Sequence, residues 1–538
     1  MRGRRQALRT ARSFVLVLAM LSVLGLAAVT WSQTPKAGGQ ANVAFSVRLE
    51  TLNPPLINTS LGARIGQHMF DTLTTIDESG RVRPLLAERW STSPDGLVWT
   101  FTLLRGVQFH DGAPFNAQAV VANFNHVLDP KLKYGRAGEY PVLKRTEAVD
   151  EHTVRFHLSE PWGPFPAYLT RPFAGAQVSP AAIAKGPEFL ARNPVGTGPY
   201  KLEKFVPGQE LVVVRNDAYW GKKPYLDRIR FVTIPEAGAR EAALQAGDVH
   251  LAVPLPPQFE RTVSGNPNLV WRADRGSRLV YVGINMFRPE LQDARVRQAM
   301  DLAIDRDAII ANFLRGFARK PRSYVQSIAF GFTPVSDYPF DQGRAAALLK
   351  EAGWTKGRDG VLERANGEKF PSIVFRAFQG RVIGDFQAAQ AVTGYLQEVG
   401  FPVVLRQLEH NVHFAEATKP ENKTPQATSQ LSLASIGNSV MDGSHTLKLF
   451  DFRRPIADAA FSWYHDKDVW PLVDTMLQQS DPETRLEAIR AAQKLMAPKS
   501  VWLPLYEVDQ TAGMSKALRG LRVGPDEGYW LWGAWLDR

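Results

Sequence analysis

The 538-residue chain contains no cysteine. That excludes thiol chemistry, disulfide staples and lipid attachment through an N-terminal cysteine. No Walker A sequence, G-x-S-x-G elbow or H-E-x-x-H helix occurs either, so the common phosphate-loop, serine-hydrolase and zinc-protease signatures are missing. No Lys/Arg cluster interleaved with aromatics suggests nucleic acid as a partner. After residue 30 no apolar run is long enough to span a bilayer, and no repeat at a fixed period points to a solenoid or propeller. With 44% apolar and 22% charged residues the composition is globular, at a length that usually divides into more than one core.

The N-terminus is a different kind of sequence. Five arginines (Arg2, Arg4, Arg5, Arg9, Arg12) precede a weakly polar to apolar run, Phe14 to Val29, and then the small residues of LAAVTWSQ. A basic region, a short apolar region and a small-residue zone are the parts of a secretory signal peptide, expected here over residues 1–32. A permanent anchor is the rival reading, but this run is short for a hydrocarbon layer of about 30 Å. The expectation is a periplasmic protein, exported and released by cleavage. Removing the five arginines lowers the formal charge from +11 to about +6, a mild excess for the remaining chain.

Along the chain, QTPKAGGQ reads as a linker, ANVAFSV as a first strand and TLNPPLIN as its Pro-broken exit. Residues 62–76 carry helical spacing at Ile65, Met69 and Leu73, and AQAVVANFNHVL is an amphipathic helix ending before Asp129-Pro130. Further helices start at Asp293, Asp305, Asp341 and Asp481-Pro482, and one from Phe386 closes at Gly400 before the strand PVVLRQL. The predicted class is α/β with mixed sheets, in at least two lobes.

Signals for chemistry are sparse. His410 and His413 in EHNVHFAE are one turn apart, yet the segment reads first as a polar surface helix. His110-Asp111-Gly112 is a turn before it is a catalytic pair. Trp220 and the C-terminal Tyr529, Trp530, Trp532 and Trp535 read as packing, whereas Trp463, in a loop between helical segments, is a candidate ligand contact. NPVGTGPYKLEKF, Asn193 to Phe205, has glycines like an anion loop but leads into a strand, so it reads as a stiff joint in which Gly196 and Gly198 permit unusual backbone angles.

Several segments occur in a telling order. They are VRPLLAERWSTSPDGLVWTFTLLRGVQFHDGAPFNAQAVV, NPVGTGPYKLEKF with RNDAYWGKKPYLDRIRF, ALQAGDVHLA, GINMFRPELQDARVRQAMDLAIDRDAI, FDQGRAAALLKEAGW and VWLPLYEV. Together they resemble the family 5 extracellular solute-binding proteins, the receptors of peptide, nickel and related ABC importers. The resemblance implies a two-lobed periplasmic binding protein fold (type II, cluster C like) with an extra subdomain. Lobe I would comprise 34–80, 195–285 and 506–538, the extra subdomain 81–194, and lobe II 286–505. The ligand would be enclosed between the lobes and delivered to a membrane permease served by a separate ATPase.

A receptor signals occupancy only if its ligand favours the closed state, so the ligand must touch both lobes. Candidates in lobe I are Asn53, Ile57, Asn58 and Asn285. In lobe II, peptide-binding relatives hold the peptide ammonium with an aspartate in the loop that here reads SIGNSVMDGSHTL, which nominates Asn438, Ser439, Asp442 and His445. FQGRVIGD should hold the carboxylate, through Gln379 or Arg381. The reading is a non-catalytic, monomeric receptor for an oligopeptide or peptide-like small molecule, with no cofactor. A receptor for a metal chelate of the nickel type or another organic solute is the alternative within the class, and an exported hydrolase the alternative outside it.

Overall fold

The main sheet begins with β1 (Gln40–Phe45), whose apolar residues alternate and are buried in the core. The computed structural model describes residues 34–77, 79–417, 419–454, 461–525 and 528–537, so the expected signal segment lies outside the described residues. The chain next builds a separate antiparallel sheet from β2 (Ala87–Thr92), β3 (Val98–Leu103), β4 (Leu143–Asp150) and β5 (Thr153–Leu158), ordered β2-β3-β5-β4. It returns to the main sheet with β6 (Tyr200–Val206), β7 (Glu210–Arg215), β8 (Arg228–Thr233) and β9 (Leu251–Val253). The long strand β10 (Leu269–Ile284) is followed by β11 (Ile373–Phe378), β12 (Val403–Leu408) and β13 (Leu431–Gly437), and β14 (Trp502–Ser515) closes the circuit.

The main-sheet order is β12-β11-β13-β10-β14-β9-β1-β8-β7-β6. Parallel pairs lie toward both ends, β11 with β12 and β13 on one side, β1 with β8 and β9 on the other. Between them runs the antiparallel pair β10 and β14, which both groups share. Residues 81–194 carry their own aromatic core of Trp99, Phe101, Phe124, Phe156 and Phe165. Segments 34–80 and 195–285 share a second core through Val43, Met69, Tyr200, Val213 and Phe231, and 286–505 a third through Met300, Ile309, Phe375, Val392 and Leu433. The boundary expected at 506 falls inside β14, because this strand serves the sheet on both sides of it.

Helix starts follow the capping chemistry. Asp293, Asp305, Asp341 and Asp481 each accept from a backbone N–H in the first turn of the helix they open. The expected helix over 62–76 is shorter. It runs only over Ser60–Gly66, and Thr74–Ile76 is a strand, because the chain leaves the helix to receive the 196–200 segment: Gly198 N donates to Met69 O and Tyr200 N to His68 O.

The joint is tight for a different reason from the one its sequence suggests. Gly196 and Gly198 do not adopt positive φ. Instead, a Cβ at Gly196 would lie 2.1 Å from Met69 O, and one at Gly198 would lie 2.5 Å from Met69 C, so close backbone approach is what demands glycine. Between them, Thr197 Oγ1 donates to the buried Asp71, which also accepts from Trp220 Nε1 at 3.0 Å.

Candidate functional site

The C-terminal ends of parallel strands leave a crevice where ligands of α/β sheets collect. Here β11 ends at Phe378 and β13 at Gly437, and beside them lies a cavity of about 290 Å³. Its walls include Phe378, Arg381, Ser435, His445, Lys448 and Phe461.

The loop leaving β11 is held by a carboxylate. Asp385, buried at the start of helix Asp385–Glu398, accepts from the backbone N–H groups of Gly380 (3.1 Å), Arg381 (2.9 Å), Val382 (2.9 Å) and Phe386 (2.8 Å). One side chain thus fixes the loop while Arg381 stays exposed at the cavity. Gln379 is exposed and accepts from Gln407 Nε2 at 2.8 Å.

The loop leaving β13 is organised inward. Asn438 is fully buried; its amide nitrogen donates to Asp442 O (2.9 Å) and Gln326 Oε1 (3.3 Å), and its oxygen accepts from Asp442 N. Asp442 caps helix Gly443–Leu447 through Ser444 and accepts from Arg485 Nη2 at 2.6 Å. Both members of that ion pair are buried, so the carboxylate that sequence nominates for a ligand ammonium is already matched by an internal guanidinium. Ser439 is half-buried in the same loop.

One helical turn beyond Asp442, the chain meets the subdomain. Tyr168, at the end of the short helix Phe165–Tyr168, accepts from Lys448 Nζ at 2.7 Å, and its hydroxyl lies 3.2 Å from His445 Nδ1. Burial, and then the nearby cations Lys448 and Arg171, hold His445 well below the usual histidine pKa, so the ring is neutral near pH 7. Arg171 pairs with Glu139 at 3.0 Å, and Arg136 shares the same Glu139 oxygen at 3.2 Å. Arg136 also stacks 3.7 Å over Phe173 and donates to Ile57 O at 3.2 Å. This chain of contacts runs from the Pro-broken loop after β1 to His445 and Lys448 beyond β13. Sequence reasoning passed over Tyr168, Arg171 and Lys448; the available signals were the aromatic and cation together in YLTRPF and the lysine three residues after His445 in SHTLK.

Of the other nominated residues only Ile57 joins this line, through its carbonyl. Ile57 packs its side chain with Ala63 and Phe173 and offers only its carbonyl, whereas Asn58 is exposed. Asn53 is buried, donating to Tyr134 OH at 3.0 Å. Asn285 uses its amide to tie down Asn422 O and Ser429 O and to receive Phe287 N, which makes it a brace for the 422–429 segment. Trp463 is only 2% exposed, its ring 6.1 Å from that of Phe287. The expected surface helix around His413 forms over His410–Ala417, but His413 itself is turned inward and buried between the rings of Phe378 and Phe461. The side chain of His410 lies outside the described residues. Among the described residues no three His, Asp or Glu side chains are grouped to hold a metal ion.

The sequence profile described as bacterial extracellular solute-binding proteins, family 5 middle, matches residues 81–457. The chain belongs to the bacterial extracellular solute-binding proteins of family 5. This family 5 protein is 28% identical over 511 residues to the glutathione-binding protein GsiB of Salmonella choleraesuis, covering 95% of this chain and 97% of that one. Its fold is that of the periplasmic binding protein DppA from Helicobacter pylori in complex with the peptide STSA (TM-score 0.73, 22% identity, 94% and 99% of the two chains). NikA from Brucella suis in complex with Fe(III)-EDTA also shares it (TM-score 0.79, 24% identity, 93% and 100%). The two-lobed periplasmic binding protein architecture is therefore the fold of this solute-binding chain.

Proposed function

We propose that this protein is the exported, monomeric receptor of an ABC importer and encloses a peptide or peptide-like small molecule between its two lobes. The carrying observation is the contact of Lys448 and His445 with Tyr168, which bridges lobe II and the subdomain beside the cavity at the ends of β11 and β13. The cavity walls come from 286–505 apart from Tyr281, and Tyr168 brings the subdomain against two of the lining residues, His445 and Lys448, so that closure adds the second side. In this proposal lobe I comprises 34–80, 195–285 and 506–538, the subdomain 81–194 and lobe II 286–505. Residues 1–32 are removed on export, the closed form docks on the permease, and a separate ATPase drives transport.

The nominated residues take unequal parts. Arg381 and His445 line the cavity, and Arg381 receives the ligand carboxylate. Asn58, Gln379 and Ser439, which keep exposed surface, border the approach, while Asn53 and Ile57 support it from within. Asn285, Asn438, Asp442 and Trp463 shape the walls from behind, because their polar atoms or rings are turned into the protein. The test is a thermal-shift screen of di- to pentapeptides, including glutathione, with mass spectrometry of any co-purifying ligand. A peptide that raises the melting temperature in proportion to log concentration supports the proposal. If no peptide shifts the transition while a metal chelate does, the chelate reading replaces it.

A further inference from the structure

Charge at the bridge between the subdomain and lobe II is unbalanced. Arg136 and Arg171 share one oxygen of Glu139, and Lys448, which donates to Tyr168, has no carboxylate within ion-pair distance among the described residues. Arg171 Nε is buried and has no hydrogen-bond partner. Three cations therefore converge on a half-buried region that supplies a single carboxylate, and Arg381 opens onto the same cavity as Lys448. Elsewhere a buried charge is met either by an opposite charge, as Asp442 by Arg485, or by backbone groups, as Asp385 by four N–H groups and Arg297 by the carbonyls of Leu291, Gln292 and Lys499. Cations gathered without matching carboxylates, next to a cavity, are costly in the empty protein and are neutralised when an anion arrives.

Tyr168 gives that anion a place. Its hydroxyl accepts from Lys448, the role an incoming carboxylate oxygen would take over with a stronger, charge-assisted bond. Burial is the main cause of the depressed pKa of His445, and Lys448 and Arg171, from lobe II and the subdomain respectively, add to it. The Asp442 carboxylate, which sequence nominates for a ligand ammonium, is committed to Arg485.

Resting on the receptor function proposed above, we infer that Lys448, Arg171 and Tyr168 form an acid-selecting subsite, so that the receptor takes solutes carrying at least two carboxylates. Lys448 and Arg171 clasp one of them from the two sides of the cleft, and this contact rewards closure.

The test is calorimetric titration of the mature protein with the tripeptides Glu-Ala-Glu, Gln-Ala-Gln and Lys-Ala-Lys, and with tricarballylate as a non-peptide polyacid. Glu-Ala-Glu is expected to bind about tenfold or more tightly than Gln-Ala-Gln, as one coupled ion pair at an interface allows. That ratio should shrink with added KCl. In Lys448→Met and, separately, Arg171→Gln it should fall toward unity, with a cooperative melting transition confirming each variant's fold. Equal binding of the acidic and neutral tripeptides would overturn the inference and leave the peptide receptor standing. Binding of tricarballylate but of no tripeptide would do the reverse. Binding of neither acidic probe overturns the inference, whichever variants fold, because the wild-type titration alone decides it.

Discussion

Two loops leave the ends of neighbouring parallel strands toward the same crevice, and they spend their polar residues in opposite ways. The loop after β11 is pinned from within by Asp385, which leaves Arg381 exposed at the cavity. The loop after β13 turns Asn438 and Asp442 inward, where Gln326 and Arg485 occupy them. Position next to a strand end thus nominates a ligand contact but does not confer one. What differs is exposure: Arg381 lies exposed at the cavity, whereas Asn438 and Asp442 are buried among internal partners.

Breaking the inward pair should have the largest effect. Arg485→Met strands the Asp442 carboxylate in a buried site and should cost about 3–5 kcal/mol of stability, measured by urea unfolding. The double variant Asp442→Asn/Arg485→Met should regain much of that. A loss below about 1 kcal/mol for the single variant would mean that Asp442 is not committed to Arg485, and the contrast between the loops would collapse.

Next comes the pin of the other loop. Asp385→Ala removes the acceptor shared by four backbone N–H groups and should cost about 2–3 kcal/mol, with weakened ligand binding because Arg381 loses its platform. Unfolding and titration of the same variant separate the two effects.

Acid sensitivity should come from His445 in the loop after β13, whose pKa burial depresses, and also from outside both loops. His68, 1% exposed in the segment 34–80, is pushed by burial to a pKa of about 4. Its unfolded form, near 6.5, takes up a proton first as pH falls, so His68 contributes full stability above about pH 6.5 and loses it progressively toward pH 4. At pH 5 the loss is about 2 kcal/mol relative to pH 7. Asp71 works against it: burial raises its pKa to about 6, so ionisation above that pH costs stability and acidification restores it. His68→Gln should therefore lift stability at pH 5 relative to pH 7 compared with wild type. An unchanged pH profile would place the acid sensitivity elsewhere.

The smallest effect should belong to the exposed arginine. Arg381→Met should weaken binding of an acidic tripeptide about tenfold, while unfolding free energy moves by less than about 0.5 kcal/mol. An equal loss from Gln379→Ala would shift the carboxylate contact to that neighbouring side chain.

Much of the fold was legible because local chemistry and the native structure agree. The aspartates at 293, 305, 341 and 481 announced helices that their carboxylates do cap, and apolar alternation announced β1. The helix expected over 62–76 failed because a distant backbone, at Gly198, competes for Met69 O. The glycines of the 193–205 joint were visible but their reason was not: a turn requirement is local, whereas close approach to Met69 involves a chain segment more than a hundred residues away.

The site was legible in part. Family resemblance led to the two loops, and Arg381 and His445 do line the cavity. Tyr168, Arg171 and Lys448 remained hidden because no short motif links them; 277 residues separate Tyr168 from His445. By itself the sequence determined the class of protein, through its ordered segments, and the local caps and strands, through interactions that span a few residues. Only the tertiary structure decided which polar groups are spent on the fold and which remain for a solute, because burial and charge pairing depend on neighbours that the chain brings together from far apart.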